Sequence, residues 1–425
     1  MTTRTRLSVL LISTPLLAFI VIGGVLGRAS TGDDAFQHLR VFEDVVSLIL
    51  NNYVEAVKVD HVMEGAMRGL ADGLDPDSAY LTPDEVKALD RSGPCASLSP
   101  SAACASGSMP AGDVGVELTR QYYLRVIAAR DGSPAAKAGL ETGDYVRAID
   151  GKPTRDMSVW EGARMLRGTP GSHVKLTIIR GNAADPHEID LVRETTPATM
   201  VSGRAAQPGI GIIRIAAFGT GTAAQVRDKA NELLKNGATH LIIDLRHTAE
   251  GPYESGLETA RLFVKSGTLA KLAGRDPDQK ADDKVQPSPT EKAPPVPAAA
   301  IRQTITAQPG DGAITAPVTL LTTTGTSGAA ELFIGALEGN KRADVVGERT
   351  LGRAGVQKLV RLPDGRGLWL TYERYVTPDG YAISGRGISP DQEVDEPDVE
   401  WGEPAPAGDP ILDAAVQRIQ KTATR

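Results

Sequence analysis

The stretch from Gly325 to Gln357 constrains this chain more than any other. It reads G-T-S-G-A-A-E-L-F-I-G-A-L-E-G-N-K-R-A-D-V-V-G-E-R-T-L-G-R-A-G-V-Q. An apolar strand, Val318 to Leu321, comes first. A tight Gly-rich turn follows, then a helix opening near Ala329, then a short strand over Asp344–Val346 that ends in Gly347. Strand, sharp turn and helix in this order present a side chain at a helix N-terminus, where backbone N–H groups can stabilise an oxyanion. In this turn stand Ser327 and then Gly328.

This stretch resembles the carboxyl-terminal (tail-specific) processing peptidases, family S41. Their pattern is S-A-S-A-S-E, then R-A-x-x-V-G-E-x-T-x-G-K-G-x-x-Q. In that family the middle Ser is the nucleophile, the Lys is its base and the Gln orients the Lys. Glu331 anchors the first motif and places the nucleophile position on Gly328. Gly347, Glu348 and Thr350 anchor the second and place the base on Arg353; Gln357 matches. The resemblance therefore implies the scaffold with two of three catalytic positions changed. The family also writes L-R-N-N-P-G-G after a core strand, with glycines supplying oxyanion N–H groups. Here the run is Leu245-Arg246-His247-Thr248-Ala249-Glu250-Gly251, and Glu250 replaces a glycine. A carboxylate beside a developing oxyanion would repel it.

Arg353 cannot act as a base, because its guanidinium stays protonated. A Ser–Lys dyad needs a neutral amine. Ser327 is one residue early, and His247 is the nearest candidate base for it, but sites fail at about 1 Å of misplacement. Lys341 and Lys358 are not expected to serve, the second because it should face away from Gln357.

Elsewhere the same resemblance continues. Leu74–Glu85, L-D-P-D-S-A-Y-L-T-P-D-E, is close to the family's L-D-P-H-S-x-Y-L; on its own it reads as a turn and a Pro-opened helix. Gly112–Leu118, Ser133–Lys152, a helix over Met157–Leu166 and Val174–Arg180 resemble a PDZ domain, expected over 110–194, with A-G-L-x-x-G-D-x-x-x-x-I-D-G as its signature. Gly112 and Gly115, in a loop with Asp113 and Val114, should free backbone N–H groups for a terminal carboxylate. The strand Val116–Leu118, facing a helix with Trp160 and Ala163, should add an extended peptide. Val116 and Leu118 are expected to alternate with an outward Glu117. The other reading is a PDZ fold whose groove is filled internally. Thr377–Asp391 matches the family's closing T-P-S-G-x-x-I-x-G-x-G-I-x-P-D.

The expected fold is an α/β core, of the S41 crotonase-like layered type, over 208–421, with an inserted PDZ domain and a helical N-terminal segment over 33–92. In the helical segment, Phe36, Leu39, Phe42, Val46 and Ile49 make one apolar face. In the core, Gly209–Ile215 and Thr239–Arg246 read as buried strands around a helix over Thr222–Leu234, which argues for parallel strands. Residues 194–207 read as a polar linker, and 276–312, rich in Pro and Ala, as a flexible insertion. A hairpin over Val356–Glu373 and a helix over Asp409–Ile419 complete it.

Residues 1–30 read as a targeting segment. Arg4 and Arg6 precede an uncharged run from Leu7 to Leu26, long enough to span a bilayer. A cleaved secretory signal and an uncleaved anchor (7–26) both fit, and either places the rest outside the cytoplasm, in the cell envelope. There Cys95 and Cys104, in a Ser/Ala/Gly/Pro loop, can close a disulfide. A net charge of −7 gives no nucleic-acid footprint. The six His and two Cys show no metal spacing, so neither metal nor cofactor is expected. The expected partners are protein C-termini or unfolded exported proteins, and an active S41 relative. The expected function is a catalytically inactive, peptide-holding member; the alternative is an active serine endopeptidase using Ser327, with His247 as base.

Overall fold

The computed structural model describes residues 32–91, 112–181, 185–197, 199–275, 295–403 and 408–423. The targeting segment, Cys95 and Cys104, and residues 276–294 of the insertion lie outside the described residues. The chain divides into two compact units between Leu70 and Ala71.

The first unit holds α1 (Gly32–Asn52) and most of α2 (Val59–Asp72). Of the expected apolar face of α1, Phe42 and Val46 are half-buried, while Phe36 and Leu39 are 72% and 62% exposed. Among the described residues no helix is long and apolar enough to cross a membrane.

The second unit opens with β1 (Ala79–Leu81) and α3 (Pro83–Arg91). The helix starts at Thr82, whose N–H and hydroxyl both donate to the Glu85 carboxylate at 2.8 Å, a reciprocal cap of the kind that Thr-x-x-Glu encodes. An inserted domain follows. Its β3 (Val116–Gln121), β4 (Tyr123–Ala129), β5 (Tyr145–Ile149), β7 (His173–Ile179) and β8 (His187–Val192) pair in that order, with β6 (Lys152–Pro153) on β5 and α4 (Pro134–Lys137) and α5 (Val159–Leu166) covering one core. Among the described residues β3 is an edge strand. The domain is pinched off where β2 (Gly112–Asp113) pairs with β9 (Glu194–Thr195).

The core domain begins one strand earlier than expected. β10 (Val201–Gln207) pairs antiparallel with β11 (Ile210–Ile215), so the expected linker 194–207 contains β9 and β10. From β11 the sheet runs parallel through β12 (His240–Asp244), β15 (Val318–Thr322), β16 (Ala343–Gly347) and the short β19 (Gln392–Glu393). These strands are apolar on both faces because both are covered. Ile213, Ile215, Leu241, Ile243 and Leu320 face α6 (Thr222–Lys235), α7 (Tyr253–Ala260) and α8 (Ala329–Gly339). Ile210, Ile212, Ile242, Leu321 and Val346 face α9 (Pro410–Ala423) through Ile411, Ala415, Val416 and Ile419.

A second sheet joins β1, β18 (Gly367–Val376), β13 (Thr268–Ala273) and β14 (Ile301–Thr306), with β17 (Gly355–Arg361) also paired to β18. β14 lies inside the expected flexible insertion. Its backbone is paired with β13 although its side chains are mostly exposed.

Candidate active site

Parallel pairing of β15 with β12 and β16 holds the turn 323–328 in place. The Thr323 N–H donates to Thr326 Oγ1 at 3.0 Å, and that hydroxyl donates to Leu245 O at 2.8 Å. The Ser327 N–H donates to Thr248 O at 3.0 Å. The chain then turns at Gly328, with φ 66° and ψ −122°, directly into α8. Side-chain-bearing residues rarely adopt this conformation, so an L-residue there would be strained by about 1–3 kcal/mol. It is a sharp strand-to-helix turn, of the shape that can present a side chain above a sheet. Room exists for a side chain: a Cβ at 328 would meet Ala249 O at 3.4 Å and Tyr253 Cε1 at 3.8 Å.

Glu331, fully buried, organises the rest of the turn. Its carboxylate accepts from the N–H groups of Gly328 (3.0 Å), Gly352 (2.6 Å) and Arg353 (2.7 Å) and from the Thr350 hydroxyl (2.5 Å). Burial pushes its pKa up and the four donors oppose that. One carboxylate thus ties the nucleophile-position turn to the base-position loop.

Arg353, which the motif resemblance aligns with the family's base, is 9% exposed and reaches out of the core domain. Nη1 donates to Glu117 Oε1 at 2.5 Å and to Leu118 O at 3.2 Å, both on β3 of the inserted domain. Nε donates to Asp77 Oδ2 at 3.2 Å, and Nη2 lies 2.8 Å from Asp77 Oδ1. Burial opposes the charge, but the Asp77 and Glu117 carboxylates hold the guanidinium above the ordinary arginine pKa. Glu117, expected to point outward, is 3% exposed for this reason. Gln357 is buried, and its Nε2 donates to Thr371 Oγ1 at 3.3 Å rather than towards Arg353. Lys358 is exposed, its ammonium 5.0 Å from the Tyr372 ring.

In the loop that resembles the family's oxyanion loop, the Glu250 carboxylate is paired. Glu250 Oε2 accepts from Arg130 Nη1 at 2.5 Å, and Arg130 Nη2 donates to Asp113 Oδ1 at 2.8 Å. Gly251 has φ 119° and backs onto Phe218 O, which a Cβ would approach to 2.0 Å. Only glycine fits there.

The pairing of Ser327 with His247 is not made. His247 Nδ1 lies 2.9 Å from Thr142 Oγ1 and Nε2 2.9 Å from a Glu396 oxygen, so both ring nitrogens are engaged elsewhere. Ser327 is 1% exposed, and its hydroxyl has no hydrogen-bond partner among the described residues.

In the inserted domain, Gly115 (φ 70°) makes the loop turn, and a Cβ there would strike Ser133. The Gly112 N–H is not free for a ligand, because it donates to Gly168 O at 3.0 Å. Val114 is fully buried, Val116 and Ala163 are half-buried. Trp160, expected to face a peptide, instead packs with Ala79, Leu81, Val86, Leu89 and Trp369, on β1, α3 and β18. Among the described residues no group of His, Cys, Asp and Glu is placed to hold a metal. Arg353 acting through Glu117 and Asp77, and Arg130 acting through Glu250, were not visible in the sequence, because each pair joins residues more than a hundred positions apart.

Comparison with known proteins agrees with the geometry. The model of peptidase family S41 matches residues 209–394, and that of a PDZ domain matches residues 125–180. A carboxyl-terminal-processing protease of Synechocystis is 31% identical over 300 residues, 70% of this chain and 65% of that protein's length. The carboxy-terminal processing protease CtpA of Bacillus subtilis is 28% identical over 378 residues, 88% of this chain and 72% of its own. The solved structure of a photosystem II D1 C-terminal processing protease superposes with a TM-score of 0.61 at 27% identity, covering 82% of this chain and 85% of that one. The chain is thus similar over most of its length to the carboxyl-terminal processing proteases, with a core that matches peptidase family S41 and a PDZ match ahead of it.

Proposed function

We propose that this chain is a catalytically inactive member of the family, one that holds protein C-termini through its PDZ domain and does not cut them. The observation that carries the reading is the state of Arg353. At the position where the family motif has its base, a permanently protonated guanidinium is buried between Asp77 and Glu117. A base must release a proton to work, and this cation is stabilised against doing so. Gly328 adds no nucleophile, and Ser327 lacks a base partner, since His247 is held by Thr142 and Glu396. Its partners are then protein C-termini or unfolded exported proteins, and an active S41 relative whose work it regulates.

The uncharged run from Leu7 to Leu26 supports placing the working part outside the cytoplasm, with Cys95 and Cys104 oxidised there. Alkylation of protein taken from the cell envelope, followed by mass spectrometry, tests this: two freely alkylated cysteines contradict it. The catalytic reading is tested by labelling the purified chain with a fluorophosphonate. No adduct is expected; an adduct on Ser327 contradicts the reading.

A further inference from the structure

We propose that Arg353 is an internal competitor for the peptide groove of the PDZ domain, so that a peptide carboxyl terminus enters only by displacing the guanidinium from Glu117, Asp77 and the Leu118 carbonyl. The inference rests on the reading of this domain as a binder of C-termini, and adds what controls it.

Among the described residues, β3 has β4 on one side and no strand on the other. Which of its backbone groups face that edge follows from the ladder. Leu118 is opposite Val126. The Val126 N–H donates to Asp144 O at 2.8 Å and its carbonyl accepts from the Gly143 N–H at 2.9 Å. Both backbone groups of Val126 are therefore spent away from β3, so Leu118 sits in a non-bonded pair and its own N–H and carbonyl point to the open edge. An extended peptide added to β3 needs that carbonyl as an acceptor. Arg353 Nη1 holds it at 3.2 Å, while its other hydrogen bonds anchor the guanidinium to Glu117 beside it and to Asp77 on the segment leading into β1.

The helix flank of the groove is closed by the same segment. Trp160 of α5 is 8% exposed and packed against Leu81, Val86, Leu89 and Trp369. Further along β3, Arg120 pairs with Asp72 and donates to Arg155 O at 3.4 Å. A peptide thus meets an edge already capped by the side chain at the family's base position and by the segment that Arg353 binds. Binding and the clamp are mutually exclusive, and the apparent affinity is the intrinsic affinity multiplied by the fraction of molecules with the clamp open.

The test is peptide binding to the full chain and to Arg353→Met, which keeps an apolar stem without the cation. The probe is a fluorescein-labelled peptide ending in Ala-Val with a free carboxylate, alongside its amidated form, with amide hydrogen exchange followed over residues 116–121. The free-carboxylate peptide should bind Arg353→Met at least about ten-fold more tightly than the natural chain, and exchange over 116–121 should rise in the variant. Arg353→Lys, which keeps the charge but not the fork, should fall between them and serves if Arg353→Met does not fold. Equal dissociation constants in folded proteins overturn the competition and leave the carboxyl-terminus reading standing. If neither protein binds the peptide, or free and amidated forms bind alike, that reading fails instead. Exchange then decides the role of Arg353: unchanged exchange overturns it, and raised exchange keeps it as what covers the edge.

Discussion

Arg130, on the PDZ side, and Glu250, in the loop that precedes α7, meet at 2.5 Å, and Arg130 holds Asp113 at 2.8 Å with its other terminal nitrogen. The residue that would oppose an oxyanion is thus a strut between domain and core. Removing the arginine takes the cation from two carboxylates and leaves Asp113 with the Thr196 hydroxyl alone, while removing Glu250 leaves Arg130 with Asp113. Breaking a buried pair from one side costs about 3–5 kcal/mol. Arg130→Ala should therefore lower the melting temperature clearly more than Glu250→Ala does. Equal losses would show that Asp113 contributes nothing to the strut.

Two helical glycines should respond to alanine with opposite signs. A Cβ at Gly256 in α7 would lie 2.1 Å from Ala329 O, at the start of α8. At Gly335 in α8 the nearest atoms are side-chain carbons at 3.4–3.7 Å. Gly→Ala in a helix normally gains about 1 kcal/mol, so Gly335→Ala should be neutral or stabilising. Gly256→Ala must push two helices apart and should cost roughly 1–3 kcal/mol. Urea midpoints of the two variants measure this.

Glu338, near the end of α8, has its pKa pushed up to about 7 by burial and by the neighbouring charges of Asp391 and Asp379. A carboxyl raised in the folded state is best accommodated while protonated. Its contribution is present below the unfolded value, about 4.3, and is lost as pH rises through about 7. Glu338→Gln should match the natural chain near pH 4 and exceed it at pH 8, by on the order of 2 kcal/mol once partial exposure is discounted. Thermal unfolding at the two pH values checks this; a constant difference contradicts it.

The parallel strands of the core were legible because burial on both faces writes them as apolar runs, as in Ile210–Ile215 and His240–Asp244. The turn at Gly328 was legible because Glu331 and Gly347 fix the register around it. β10 was not, since one of its seven residues is buried and it exists by pairing with β11. β14, I-R-Q-T-I-T, was obscured by the Pro/Ala-rich composition beside it. The fate of Arg353 was half legible: its chemistry excludes a base, but its partners Asp77 and Glu117 lie in other parts of the fold. Trp160 carried the wrong implication because an amphipathic helix does not say which neighbour covers its aromatic residue.

The most direct test of catalytic inactivity is cleavage of an unfolded protein bearing a C-terminal tag. The natural chain is compared with Ser327→Ala and with the double variant Gly328→Ser, Arg353→Lys. Loss of a nucleophile–base unit typically costs ~10⁶ in turnover, so the natural chain and Ser327→Ala should both leave the substrate intact. The double variant should recover part of the activity, limited by strain at position 328 and by Glu250. Adding Glu250→Gly removes the carboxylate but also breaks the strut from Arg130, which keeps only Asp113, so it should help turnover while lowering stability. Cleavage by the natural chain that Ser327→Ala abolishes would contradict the account and make Ser327 the nucleophile.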